Sequence, residues 1–255
     1  MTDREWNAFV SFRNDFKQYC THLNQQFSSV LKPLQKDAAL AGNTPDYPFE
    51  TAVVYNSALD SVTQQDQINL IVIGDNPGKD EQLAKNRKYL VGQSGKIAAG
   101  FFARHAEFNT DFRKNVIILN KTPVHTAKTS QIKYLIKNGG PQIEKLILDS
   151  QIYMAQKTAQ LHQAFRNTEL WLVGYAELKG KGLFIPYRDH LLHAYDSVKD
   201  AWNRVFVFQH FSMNRFSIDL NEFCKAHTDL SLSEATHFLG TMHKDEIFGC
   251  FSDAD

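Results

Sequence analysis

Four short apolar runs constrain what this chain can fold into: Asn69–Gly74 (NLIVIG), Val116–Asn120 (VIILN), Glu169–Gly174 (ELWLVG) and Arg204–Gln209 (RVFVFQ). Near-continuous apolar runs of this length, without alternation, are what strands covered on both faces look like. Helical patterns lie between them. Ser94–His105 offers Ser94 as an N-cap. Pro141–Phe165 places Pro141 in its first turn, with Ile143, Ile147, Met154, Leu161 and Phe165 as the buried stripe. Leu191–Asn203 precedes the last run. Strands alternating with helices in this way predict a three-layer α/β/α fold. Its centre is a short, mainly parallel sheet of about four strands, with flanking helices.

Both ends of the chain read as helical. Thr2 and Glu5 have capping-box spacing, and Trp6, Phe9, Val10, Phe16, Tyr19, Cys20, Leu23 and Phe27 recur at steps of three and four. Lys32-Pro33 is expected to end that helix. Residues 38–50, with Pro45 and Pro48, read as a loop, and Thr51–Tyr55 as a short strand. Residues 217–255 look helical and acidic, with Ser231 and Glu234 again at capping-box spacing. No repeat or low-complexity linker divides the chain. The expectation is one domain over residues 1–255 with helical extensions at 1–50 and 217–255.

Composition narrows the function classes. With 43% hydrophobic and 22% charged residues, the chain is not disordered, collagenous or coiled coil. No apolar run reaches the ~18 residues of a membrane span. Met1-Thr2-Asp3-Arg4-Glu5-Trp6 lacks the apolar segment of a signal peptide, so a cytoplasmic protein is expected. Cys20, Cys224 and Cys250 lie too far apart for a CxxC pair and read as buried free thiols. That spacing excludes a zinc ribbon or a four-cysteine iron–sulfur cluster. His190 and His193, with Asp189, lack a further ligand, so no metal and no cofactor are expected. Positive and negative side chains balance at 28 each, but residues 79–139 hold twelve Lys and Arg against four acids. Such a local excess can hold phosphates without making the whole molecule bind nucleic acid indiscriminately.

In an open α/β sheet, ligands bind beyond the carboxyl ends of the strands. The first run is followed by Gly74-Asp75-Asn76-Pro77-Gly78, the second by Asn120-Lys121-Thr122-Pro123-Val124-His125. Gly174-Tyr175-Ala176-Glu177 follows the third, and His210-Phe211-Ser212-Met213-Asn214 the fourth. Asp75 or Asn76, Asn120 and His210 could each donate or accept a hydrogen bond or proton at one sheet edge. Gly92-Gln93-Ser94-Gly95-Lys96 is not a nucleotide P-loop, because Leu90 and Ile97 stand where that motif needs Gly and Ser or Thr.

These residues together resemble the uracil-DNA glycosylase superfamily over about residues 69–216. Gly74–Gly78 is similar to its GEAPG or GINPG turn, and Tyr89-Leu90-Val91-Gly92-Gln93-Ser94-Gly95 to the PFVG-x-SG segment of several branches. Val116–Asn120 resembles the strand whose asparagine reads the uracil edge, and His210–Asn214 the HPS motif before a DNA-inserting loop. The chain departs from the family in lacking the iron–sulfur cysteines, in carrying Asn76 at the third turn position, and in having Phe211 for proline.

The resemblance implies a monomeric enzyme that acts on DNA containing uracil or another deaminated base. Asp75 or Asn76 would position the attacking water, and His210 would stabilise the leaving base. Tyr89, Leu90 and Asn120 would contact the base. Gly78, Gly92, Ser94, Lys96, Ser212 and Met213 would hold DNA, with Met213 filling the gap left by a flipped base. The alternatives are a member of this fold that binds a base or nucleic acid without cutting, and a small-molecule hydrolase using the same strand ends.

Overall fold

Each apolar run forms a strand in the computed structural model, which describes residues 1–249. The strands are β1 (Leu70–Gly74), β2 (Val116–Asn120), β3 (Glu169–Val173) and β4 (Val205–Phe208), all parallel, in the order β2-β1-β3-β4. Every strand residue but half-buried Glu169 is buried. Covering on both faces removes any reason for polar alternation, which is why the runs are continuous.

Among the described residues, eight α-helices surround the sheet: α1 (Asp3–Ala41), α2 (Gln93–Arg104), α3 (Ile132–Asn138), α4 (Gly140–Ala164), α5 (Ile185–His193), α6 (Lys199–Trp202), α7 (Arg215–Ala226) and α8 (Leu232–Phe248). On one face, Trp171 of β3 meets Phe102 of α2 and Phe216 of α7, with ring centroids 5.5 and 5.8 Å away. Gly240 lets α8 close on β4, since a Cβ there would lie 2.8 Å from Phe206 Cβ. The other layer is built by α1, α3, α4 and α5, which pack on one another. The terminal helices thus belong to the layers: α8 lies against β4, and α1 against α3 and α4. Among the described residues, no helix is long and apolar enough to cross a membrane.

Capping boxes form at both expected places, Thr2 with Glu5 and Ser231 with Glu234. Several boundaries differ from expectation. Lys32-Pro33 does not end α1, which runs through Pro33 to Ala41 and makes residues 38–41 helical rather than loop. Proline removes one backbone donor and crowds the preceding turn. Burial of Leu31, Gln35, Ala38 and Ala39 offsets that loss. Gln35 Nε2 also pins the helix by donating to the carbonyls of Ala52 (3.0 Å) and His125 (2.7 Å).

Thr51–Tyr55 is not a strand; it makes one antiparallel bridge, Val53 to Val124. The Asn24 side chain takes the place of a partner strand there, bonding both the N–H and the carbonyl of Val53. Gly92, not Ser94, caps α2. Leu191–Asn203 is split between α5, which starts six residues earlier with Pro186 in its first turn, and the short α6. Cys20 is buried as expected, but Cys224 is only half-buried. Cys250 and the end of the expected 217–255 helical region lie outside the described residues.

Candidate functional site

Strand order fixes where a ligand can sit. The chain leaves β1 toward β2 on one side and returns to β3 on the other, so the β1/β3 boundary is the switch point of the sheet. The carboxyl ends of the strands open there into a cleft of about 490 Å³. Asp75, Asn76, Leu90, Asn120 and His210 line it, together with Gly78, Gly92, Ser94, Ser212 and Met213. Two expected residues are not there. Tyr89 turns into the core, where its hydroxyl donates to the Val54 carbonyl at 2.5 Å. Lys96 lies on the exposed side of α2, away from the cleft.

Asn120 ends β2 and is 2% exposed, yet its Nδ2 has no hydrogen-bond partner among the described residues. Gly74 makes room for it: a Cβ at that position would lie 2.5 Å from Asn120 Oδ1. An unpartnered buried amide costs about 1–3 kcal/mol.

Asn76 is anchored through one end only. Its Nδ2 donates to Thr126 Oγ1 (2.9 Å) and to the carbonyls of Thr126 and Pro77 (3.2 Å each). The Oδ1 atom is left as an acceptor at the cleft.

Asp75 is tied up differently. Its Oδ1 accepts from Lys121 Nζ at 2.7 Å, and its Oδ2 faces Thr129 Oγ1 at 3.4 Å. Gly174, with φ of +96°, closes this corner because a Cβ would lie 2.3 Å from Asp75 Oδ1. Lys121 is wholly buried, so it leaves the set of surface cations counted between residues 79 and 139. Its role was hidden in the sequence, where a lysine just past a strand reads as a solvated loop residue. Only its place directly after the strand-ending Asn120 hinted otherwise.

The cleft wall opposite is built by a second unforeseen residue. Buried Glu81 accepts from Gly78 N–H (3.2 Å) and Leu90 N–H (2.8 Å), joining the two segments that flank residues 79–89. Leu90 is left-handed (φ 51°), a conformation that costs about 1–2 kcal/mol outside glycine. Three features hold it there. Glu81 takes its N–H, Arg113 Nη2 donates to its carbonyl, and Gly95 leaves the space that any Cβ, 1.4 Å from that carbonyl oxygen, would fill. This backbone reversal sends Leu90 to the cleft and its neighbour Tyr89 to the core.

His210 follows β4 and is half-buried. The Ser212 N–H donates to its Nδ1 at 3.0 Å, and Ser212 Oγ lies 2.8 Å from the same atom. An Nδ1 that accepts leaves the proton of a neutral ring on Nε2. Burial pushes the His210 pKa down, with Asp75 opposing and Lys121 reinforcing that shift. Phe211, where proline was the family expectation, is buried against Phe112 and Phe216. Met213 and Asn214 are both left-handed (φ 53° and 56°), and Met213 stands 75% exposed at the cleft edge.

Three buried groups predict how stability responds to pH. Burial lowers His125 and His162 to about 4 and raises Glu81 to about 7. Lowered histidines stabilise the fold above their unfolded values near 6.5, and that stability is lost as pH falls toward 4. Raised Glu81 acts oppositely, stabilising below about 4.5 and losing that contribution as pH rises toward 7. Between about pH 5 and 6, two histidines outweigh one glutamate, so their net contribution to unfolding free energy should rise by about 1 kcal/mol per pH unit. Glu81→Gln should make that slope about twice as steep. Urea titrations across this range check it, and a slope unchanged by Glu81→Gln would contradict the Glu81 assignment.

Scanned against protein-family models, curated proteins and solved structures, the chain matches none of them.

Proposed function

We propose that this protein is a DNA glycosylase that hydrolyses the bond between deoxyribose and uracil or a related deaminated base, leaving an abasic site. The observation that carries the reading is Asn120, whose buried Nδ2 has no partner among the described residues, in a cleft also lined by Asn76 and His210. A flipped base supplies what this amide lacks: an edge with an acceptor for Nδ2, beside a donor for Oδ1. Leu90 offers an apolar face for the ring, and exposed Met213 a side chain to fill the gap in the stack.

As the bond from C1′ to the base nitrogen breaks, its electron pair leaves with the base and the sugar becomes cationic. The His210 Nε2–H donates to the base oxygen on which negative charge collects. Asn76 Oδ1 accepts from a water and holds it toward C1′. The water's oxygen bonds C1′, and its proton passes to the departing base or to solvent. No residue has to serve as a strong base, because the cationic sugar accepts a neutral water.

Asn120→Ala should slow base release by roughly tenfold to a hundredfold while leaving the fold intact, as expected for one lost base contact of about 1–3 kcal/mol. Single-turnover cleavage of a uracil-containing oligonucleotide checks this, and full activity with unchanged base selectivity would reduce Asn120 to a strand end. Exposed Lys79 and Lys128 stand at the cleft, with Lys85, Arg87 and Lys88 on the adjoining segment. If these meet phosphates, affinity for DNA should fall as salt rises, with a slope of several contacts. Charge reversal at Lys85, Arg87 and Lys88 should flatten that slope; affinity independent of salt would reject the electrostatic part of the reading.

A second reading, binding of a base or nucleic acid without cleavage, draws on the pairing of Asp75 with Lys121, which leaves no uncompensated carboxylate in the turn. Binding to uracil-containing DNA without formation of abasic sites would favour it.

A further inference from the structure

A second cavity, of about 420 Å³, is formed by the last turn of α1 and the loop that follows it. These residues lie before the stretch 69–216, and the proposed chemistry uses none of them. Leu40, Pro45, Tyr47, Pro48 and Phe49 supply the apolar lining. Tyr47 and Phe49 are half-buried, with ring centroids 6.1 Å apart, and Leu40 is 74% exposed. Two aromatic rings are thus held at the surface instead of in the core. The Tyr47 hydroxyl bonds His125 Nε2 at 3.0 Å, and the Phe49 ring lies 5.1 Å from the same imidazole. Gln82 Nε2 donates to the Pro48 carbonyl (2.6 Å), and Gln131 Nε2 to Thr44 Oγ1 (2.7 Å). The loop is therefore fixed along its length.

The same three side chains reach the first cleft from behind. His125 Nδ1 lies 2.8 Å from the Pro77 carbonyl, in the turn that carries Asn76. Gln82 Nε2 donates also to the Lys79 carbonyl (3.0 Å), and Gln131 Oε1 accepts from the Lys128 N–H (3.1 Å). One layer of side chains separates the two cavities. Exposed Lys79 and Lys128 line the first, and Lys128 Nζ reaches the Gly42 carbonyl (2.8 Å), two residues before Thr44. In the second cavity exposed Lys36 offsets Asp46, whose Oδ1 accepts from the Tyr47 N–H at 3.0 Å. A near-neutral aromatic cavity suits a base; the lysines of the rim suit phosphates.

We propose that this cavity is a second base-binding subsite, which takes an unpaired nucleobase of single-stranded DNA whose phosphates run past Lys79 and Lys128 from the cleft. The proposal rests on the reading that the cleft binds DNA, and it does not require cleavage. Every base has a π-face, so aromatic rings beside a cationic path hold single strands without reading their sequence. A duplex cannot use the subsite, because its bases are paired and a second one would have to be flipped.

The test is the binding of a fluorescent, uracil-free oligothymidylate and of a blunt duplex of equal length to wild type, Phe49→Leu and Phe49→Trp. Phe49→Leu keeps an apolar side chain and removes the π-face. It should weaken single-strand binding by about fivefold to a hundredfold, the loss expected for one stacked base, and leave duplex affinity unchanged. Phe49→Trp, which restores a π-face, should recover single-strand affinity. Equal single-strand affinity in wild type and Phe49→Leu, or an equal loss with the duplex, would overturn the subsite and leave the cleft reading standing. Wild type that binds neither probe would overturn both. A loss confined to the single strand, in a protein that releases no uracil, would keep the subsite and dispose of cleavage instead.

Discussion

Asn76→Ala should slow base release by about 10²–10³-fold, the loss that follows when a reacting water is no longer held in line. The geometry makes this side chain a rigid arm. Three acceptors hold Nδ2, so Oδ1 has one direction available and cannot swap ends with the amide nitrogen. Asp75→Asn should behave differently. The carboxylate is consumed by Lys121, and an amide oxygen at the same place still accepts from that ammonium. Its main consequence is a stability loss of about 1–3 kcal/mol from weakening a buried pair, with a rate within tenfold of wild type. Single-turnover rates and urea midpoints on the same two variants separate the roles. A large rate loss in Asp75→Asn with little change in Asn76→Ala would reverse the assignment.

His210→Ala should cost a comparable 10²–10³-fold, because on the proposed reading it removes a side-chain donor to the oxygen of the leaving base. The effect should grow with the basicity of that base, since a poorer leaving group carries more charge in the transition state. His210→Gln, which can still present an N–H, should recover part of the loss. Comparing uracil with a 5-fluorinated uracil, whose anion is more stable, provides the measurement. If both bases suffer equally from His210→Ala, the residue holds the cleft together rather than stabilising charge.

Much of the fold was legible because it rests on one-dimensional signals. Continuous apolar runs marked all four strands, and Thr2 with Glu5 and Ser231 with Glu234 marked two helix starts. The errors came where tertiary contacts overrule local preference. Pro33 would stop an isolated helix, but the buried face of α1 and the Gln35 bonds to the Ala52 and His125 carbonyls carry the helix past it. The strand-end residues Asp75, Asn76, Asn120 and His210 converge because parallel strands share one carboxyl edge. Glu81 and Lys121 were not legible, since burial of a charged side chain is a property of three-dimensional neighbours. Tyr89 was misplaced for a related reason. Which of two adjacent residues faces the cleft depends on the left-handed turn at Leu90, imposed by Glu81, Arg113 and Gly95 together.

The central claim is that this cleft breaks a glycosidic bond. Its most direct test is to incubate the purified protein with single- and double-stranded oligonucleotides carrying uracil, hypoxanthine or mismatched thymine, and then to treat them with alkali. Strand breaks at the uracil position, matched by release of the free base and lost in His210→Ala, are the expected result. Intact strands with every substrate, from a protein that binds the same oligonucleotides, would contradict it.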